Sequence, residues 1–93
     1  MSKELSIVVP AFNETERIAP SLAKILDYIR ERNIDAELIV VDDGSSDDTA
    51  DVARSVASGY GDIETNVIRN EQNRGKGHAV KTGLLAAKAE IAL

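Results

Sequence analysis

Cysteine is absent from this chain of 93 residues, which excludes disulfide bonds and metal sites built on thiolates. Aromatic residues are scarce at 3%, with one Phe and two Tyr. No apolar run approaches the roughly 20 residues that cross a bilayer, and the first residues lack the layout of a signal peptide. The single histidine, His78, has no Cys or second His beside it, so a metal role is disfavoured. We therefore expect a cytoplasmic chain.

Basic residues are also fewer than acidic ones. The chain has 11 Lys+Arg against 16 Asp+Glu, a formal net charge of −5, which argues against non-specific binding to nucleic acid. Hydrophobic residues make up 43%, too many for a disordered tail and suited to one small globular domain.

Four short apolar runs predict β-strands. They lie at 5–9, 38–41, 63–69 and 90–93, and the first two are nearly continuous and rich in Ile and Val, as in strands buried on both faces. Pro10 lacks an N–H donor, so we expect it to end the first strand.

Helical periodicity separates these strands. The spacing of apolar residues predicts a helix over about 19–32 after an irregular turn at 14–18. Pro20 is expected in its first turn, where proline is tolerated, and Asn33 is expected to stop it.

Two further helices follow. Ser46 is expected to cap the second, with Asp47 and Asp48 in its first turn. The third is predicted from Gly77 to about Lys88. We expect its inward-facing residues to be Val80, Leu84 and Ala87, and we attribute Gly83 to close packing of helix on sheet.

The order β-α-β-α-β-α-β predicts a three-layer α/β/α unit with a mostly parallel sheet. Ligands of such sheets bind beyond the carboxyl ends of the strands. Three loops leave from that edge, at 10–14, 42–47 and 70–76. They are also the loops richest in functional residue types, which indicates a binding site.

Two adjacent acids, Asp42 and Asp43, follow the second strand. Because neighbouring strand residues point to opposite sides, we expect one to brace the loops and the other to face a ligand, accepting N–H groups of a base or O–H groups of a sugar. A solvated loop is the alternative. The spacing does not match a calcium-binding EF-hand loop.

The loop from Asn73 to Gly77 combines two glycines with Arg74 and Lys76 just before a helix. Backbone N–H groups and positive charge at such a position suit a pyrophosphate, although a flexible polar turn is the alternative. The spacing matches neither a Walker A loop nor a dinucleotide fingerprint.

The first loop holds Phe12, Asn13 and Glu14. Phe12 either shelters one face of a base or covers the core. Asn13 either contacts a ligand or caps the following helix in a capping box with Glu16.

Taken together, the segments 7–14, 39–47 and 73–79 resemble the family 2 glycosyltransferases, most of all the branch that transfers a sugar from a nucleotide sugar to polyprenyl or dolichyl phosphate. The resemblance implies a glycosyltransferase-A, Rossmann-like fold. It also implies that Asp43 reads an N–H of the base and that the loop with Gly75 and Gly77 lies towards the ribose and diphosphate. The nucleotide-binding residues so implied are Pro10, Ala11, Phe12, Asn13, Glu14, Asp42, Asp43, Gly44, Ser45, Asn73, Arg74, Gly75, Lys76 and Gly77.

We further expect a single nucleotide-sugar-binding unit that stops inside the fourth strand, before the family's Asp-x-Asp metal motif. The resemblance then implies a UDP- or GDP-sugar as partner, a membrane lipid acceptor and Mg²⁺ or Mn²⁺ for the full-length enzyme, at the cytoplasmic face of a membrane. For this stretch alone it implies no metal site, no catalytic residue and no sugar transfer, and exposed sheet edges make self-association an expectation.

Two other interpretations remain open at this stage. One is a non-catalytic nucleotide-binding or interaction module. The other is a nucleotidyltransferase, against which stands the lack of a Gly-rich loop with Arg and Lys directly after the first strand.

Overall fold

A computed structural model describes residues 4–87 and 90–92 of the chain. The elements alternate strictly between strand and helix. In chain order they are β1 (Leu5–Ala11), α1 (Thr15–Glu31), β2 (Ala36–Asp42), α2 (Thr49–Ser58), β3 (Glu64–Arg69), α3 (Lys76–Ala86) and β4 (Glu90–Ala92).

The strands form one four-stranded sheet in the order β3-β2-β1-β4, and each neighbouring pair is parallel. Ala11 is in register with Asp42, and Asp42 is in register with Arg69. The last residues of β1, β2 and β3 therefore lie side by side, and the loops that follow them leave from one edge of the sheet.

Helices cover both faces of the sheet, which confirms the predicted three-layer fold. One core lies between the sheet and the pair α1 and α2, and a smaller one lies under α3. Successive strand residues alternate between them. In β2, Leu38 and Val40 enter the first core and Ile39 and Val41 enter the second.

The start of α1 differs from the prediction. The helix begins at Thr15, so Pro20 lies in its interior rather than in its first turn. Pro20 is exposed, and water can solvate the carbonyl that a proline leaves without an amide partner. The predicted stop at Asn33 is confirmed: α1 ends at Glu31, and Asn33 adopts a positive φ of 51° just beyond it.

Pro10 does not end β1, which continues to Ala11. Pro10 is in register with Val41 of β2, whereas the described pairing of β1 with β4 stops at Ile7. Since only one side of β1 is paired at this level, the missing N–H of Pro10 costs the described sheet little.

The predicted cap of α2 is wrong. The helix begins at Thr49, three residues beyond Ser46, with Asp48 at the N-cap position and no side-chain cap hydrogen bond. The N–H of Ser46 instead donates to Oδ1 of Asn13 at 3.0 Å. A contact between loops therefore takes the place of the local capping interaction.

The predicted inward face of α3 is confirmed only in part. Ala87 packs against the smaller core and Val80 is half-buried, but Leu84 is 39% exposed. The buried residues of the helix are Ala79 and Gly83. The helix lies so close to the sheet that a Cβ at Gly83 would stand 2.2 Å from Cγ1 of Val8, which confirms the packing role predicted for this glycine. Small residues are required on this face, so apolar periodicity is misleading here. The predicted ends at Lys88 and Leu93 lie outside the described residues.

Candidate functional site

An open cleft of about 340 Å³ lies at the carboxyl edge of the sheet. The loops after β1, β2 and β3 all contribute to its wall, together with the first turns of α3. The lining residues are Pro10, Ala11, Phe12, Glu14, Asp43, Asn73, Gly75, Lys76 and Ala79.

Asp43, one of the lining residues, joins the three loops. Its side chain accepts hydrogen bonds from the backbone N–H of Gly75 (2.9 Å, Oδ2), the backbone N–H of Arg74 (3.1 Å, Oδ1) and Nδ2 of Asn70 (3.4 Å, Oδ1). Its own N–H donates to the carbonyl of Ala11 at 2.9 Å. Asp43 is only 3% exposed, so these bonds are largely shielded from water.

Gly44 allows the second and third loops to touch. Its φ is +76°, and a Cβ built on it would lie 2.5 Å from the backbone carbon of Gln72 and 2.6 Å from the nitrogen of Asn73. Both obstacles are backbone atoms, so no side-chain movement could make room. Only glycine fits this position as the loops are arranged.

Asp42 points away from the cleft, as the alternation of strand residues requires. It is fully buried, and Oδ1 accepts a hydrogen bond from the N–H of Ser45 at 3.1 Å and another from the Ser45 hydroxyl. Its other oxygen lies 3.6 Å from Nε of Arg69. Asp42 thus stabilises its own loop, whereas Asp43 joins different loops.

Asn13 ties the first loop to the second. It adopts a positive φ of 50°, its N–H donates to Oγ of Ser45 at 2.8 Å, and its side-chain oxygen accepts the N–H of Ser46. Of the two roles left open for Asn13, the capping box with Glu16 is wrong, because Glu14 occupies the N-cap position of α1 and makes no side-chain cap bond.

Asp47 serves the starts of both neighbouring helices. It accepts the N–H of Thr49 at 3.1 Å, the Thr49 hydroxyl, and the N–H of Thr15 at 3.4 Å. The hydrogen bond from the Thr49 hydroxyl is the main reason that the pKa of this carboxyl lies below its usual 3.8. In addition, Oγ1 of Thr49 accepts the N–H of Glu14 at 2.8 Å.

The structure separates the predicted site residues into two groups. Eight of those named from the sequence line the cleft: Pro10, Ala11, Phe12, Glu14, Asp43, Asn73, Gly75 and Lys76. The others stand beside or behind that lining: Asn13, Asp42, Gly44, Ser45, Arg74 and Gly77.

Sequence reasoning missed Ala79 in the lining and Arg69 behind it. Arg69 ends β3 in register with Asp42. The signal that could have found Arg69 is the parallel register of β2 and β3, which places it beside the buried Asp42.

The cleft has chemically distinct sides. Lys76 is the first residue of α3, so its ammonium group and the helix N-terminus both favour an anion there. The Phe12 ring is 43% exposed and offers a flat apolar surface. Asp43 adds hydrogen-bond acceptors to the same lining.

Metal ligation is a separate matter. Among the described side chains, those of residues 4–87, no three His, Cys, Asp or Glu are grouped to hold a metal ion. The described cleft has the donors for an organic anion. Within the same residues, no helix is both long and apolar enough to span a membrane.

Comparison with known protein families identifies the family of this chain. The family model described as Glycosyl transferase family 2 matches residues 6–93. The chain belongs to this family. The three loops of the cleft all fall within the matched residues.

Several dolichyl-phosphate beta-glucosyltransferases are similar to this family 2 chain. The mouse protein is 39% identical over 94 residues, which cover 96% of this chain and 29% of the mouse protein. The protein of Drosophila melanogaster is 39% identical over 92 residues, with 94% and 28% covered. The chain thus spans less than a third of the length of these relatives.

Solved structures of other glycosyltransferases share the fold. A mannosyltransferase from Pyrobaculum calidifontis in complex with GDP-Man and Mn²⁺ matches with a TM-score of 0.74 and 31% identity, over 94% of this chain and 25% of the other. Glucosyl-3-phosphoglycerate synthase from Mycobacterium tuberculosis, in complex with Mn²⁺, UDP and phosphoglyceric acid, matches with a TM-score of 0.69 and 31% identity, over 94% and 30%.

Proposed function

We propose that the cleft binds the nucleoside diphosphate of a UDP- or GDP-sugar, as the donor site of a family 2 glycosyltransferase. The observation that carries this proposal is the meeting of three loops around one cleft, whose lining includes both Asp43 and Lys76, the first residue of α3. The solved relatives, which are complexes with GDP-Man or with UDP, support the same ligand class.

The base would bind at the Asp43 side. An ionised carboxylate offers about four acceptor positions, and Asn70, Arg74 and Gly75 use three of them. A ring N–H of uracil or guanine can take the remaining position without first breaking the contact between the loops. The exposed Phe12 ring would then cover a face of the base.

The diphosphate would bind at the start of α3. Gly75 and Gly77 carry no side chains, and a Cβ on either would meet no atom within 4 Å, so the backbone is open to a ligand. The N–H groups of the first helical turn and the Lys76 ammonium group favour the negative charge. The start of α3 would supply charge, and Asp43 would supply base recognition.

For the parent enzyme we propose transfer of a hexose to a polyprenyl phosphate, which the similarity to dolichyl-phosphate beta-glucosyltransferases supports. The Mn²⁺ in the solved relatives supports a divalent metal for the full-length enzyme. The described residues do not fit such a metal, so we assign its ligands elsewhere and expect residues 1–93 alone to bind nucleotide without transferring sugar.

Calorimetric titration of the 93-residue chain tests the donor site. UDP, GDP and ADP are each compared with their nucleosides. We expect saturable binding of UDP or GDP, tighter than that of the nucleoside because only the diphosphate engages Lys76 and the start of α3. The absence of saturable binding by both UDP and GDP, or equal affinity for nucleoside and diphosphate, would overturn the proposal.

A further inference from the structure

Arg69 stands behind the cleft, outside its lining, at the end of β3. Its Nη2 donates to the carbonyl oxygen of Ser45 at 3.1 Å, and its Nε lies 3.6 Å from Oδ2 of Asp42. One guanidinium group therefore contacts both the first residue of the 42–45 turn and the last.

The carboxylate of Asp42 needs such a partner. Asp42 is fully buried, and within the described part of the chain its Oδ2 has no hydrogen-bond partner. A buried carboxylate is costly unless a positive charge compensates it. Arg69 lies close enough to supply that charge while its side chain remains 51% exposed to water.

A short chain of contacts leads from this pair to the cleft. Asp42 accepts hydrogen bonds from both the N–H and the hydroxyl of Ser45, which orients Oγ of Ser45. Oγ of Ser45 in turn accepts the N–H of Asn13 at 2.8 Å. Asn13 lies between Phe12 and Glu14, and both of these line the cleft.

We propose that Arg69 is a positioning residue for the donor cleft: it holds the 42–45 turn in the shape that fixes residues 12–14. Arg69 acts through Asp42 and Ser45 and does not touch the nucleotide. The affinity part of this inference rests on the proposed function, but the geometric part does not.

The role suits arginine better than lysine. A guanidinium group presents several N–H donors in a rigid plane, so it can address the Ser45 carbonyl and the Asp42 carboxylate together. A lysine at this position would keep the charge but offer a single point of contact.

Amide NMR shifts of the free protein test the geometric part. Arg69→Gln is compared with Arg54→Gln, since Arg54 is also 51% exposed and pairs with the surface acid Asp51. We expect the amides of Asn13 and Ser45 to shift in Arg69→Gln and not in Arg54→Gln, with the amide of the core residue Leu26 unchanged in both. An Asn13 amide that stays in place in Arg69→Gln would overturn the inference.

Titration with UDP and GDP tests the consequence for binding. We expect Arg69→Gln to weaken binding about tenfold, the effect of losing one charge-assisted hydrogen bond. The double variant Asp42→Asn with Arg69→Gln should recover most of that loss, because it removes the buried charge and keeps an oxygen acceptor for Ser45. A double variant that binds no better than Arg69→Gln would contradict the charge-pairing step.

The NMR test and the titration distinguish failure of the proposed function from failure of the role of Arg69. If the unaltered chain binds no nucleotide, the proposed function fails, and the Asn13 amide still decides the role of Arg69. If Arg69→Gln does not fold, Arg69→Lys replaces it, with a smaller shift of the same two amides expected. Unchanged amides in Arg69→Lys would then count against the inference.

Discussion

The carboxylate of Asp43 accepts a hydrogen bond of 2.9 Å from the backbone N–H of Gly75. This bond joins the loop after β2 to the loop that precedes α3, although the two residues are 32 positions apart in the sequence. The candidate donor site is therefore assembled by contacts between loops, and one carboxylate accepts several of them.

Replacing Asp43 should impair nucleotide binding. Asp43→Ala removes the acceptor proposed for the base and the acceptor of the Arg74 N–H, while the N–H of Gly75 keeps its bond to Oδ1 of Asn73. Since a hydrogen bond to a charged group contributes about 1.5–3 kcal/mol, we expect UDP or GDP to bind at least about tenfold more weakly. The control is Asp48→Ala, at an exposed position outside the cleft lining. Equal affinities of the two variants in calorimetry would refute the role of Asp43.

A methyl group at position 44 should separate the second and third loops. Gly44→Ala forces an alanine into a positive φ, at a cost of about 1–2 kcal/mol, and places its Cβ against the backbone of Gln72 and Asn73. We expect lower stability in urea unfolding and weaker nucleotide binding. Gly61→Ala is the control, because a Cβ there would meet nothing within 4 Å. If both variants unfold at the same urea concentration, the close contact of the loops is not needed.

Replacing Gly83 by alanine should lower the stability of the chain, even though alanine is the better helix former. The Cβ of Gly83→Ala would overlap Val8, and overpacking of this kind costs about 1–3 kcal/mol. In the same helix, Gly77→Ala meets no atom within 4 Å and should leave stability unchanged or higher. Thermal unfolding measures both.

The double variant Gly83→Ala with Val8→Ala provides a second check on this contact. It should lose less stability than the two single changes together, because the shortened Val8 side chain makes room for the new methyl group. Simple additivity would show that α3 does not press on Val8.

Acid should weaken the part of the fold that Asp47 stabilises. The pKa of Asp47 is lowered from 3.8 in the folded chain, chiefly by the hydrogen bond from the Thr49 hydroxyl. Its stabilising contribution is therefore complete above the unfolded value of 3.8 and disappears as the pH falls through the lower, folded value. Asp47→Asn should be less stable than the unaltered chain at neutral pH, and this difference should shrink in acid.

Urea unfolding across this pH range measures the effect. Asp48→Asn is the matched control, because the side chain of Asp48 makes no cap hydrogen bond with α2. A stability difference for Asp47→Asn that stays constant from neutral pH into acid would contradict the assigned hydrogen bonds.

The parallel sheet was predictable because its signals are local. Runs of β-branched residues mark β1 and β2, and the helices between them show an apolar stripe. The position of the loops then follows, since the ends of parallel strands share an edge. The division of labour between Asp42 and Asp43 also follows from the alternation of strand residues.

The errors fall where distant contacts override local preference. Ser46 is a good helix cap by residue type, yet its N–H bonds to Asn13, 33 positions away. Leu84 fits an apolar stripe, yet the close approach of α3 to Val8 admits only small residues such as Gly83. The contact of Ser46 with Asn13 leaves no trace in the local sequence pattern, whereas the close approach of α3 is marked by Gly83 alone and not by the apolar stripe.

The most direct test of the donor site is a map of backbone amide shifts as UDP or GDP is added to the 93-residue chain. We predict that the largest shifts fall on the amides of Phe12, Asp43, Gly75 and Lys76, with Ser58 and Gly59 at the far end of α2 unaffected. Shifts confined to other parts of the surface, or no shifts at saturating nucleotide, would contradict the assignment of this cleft.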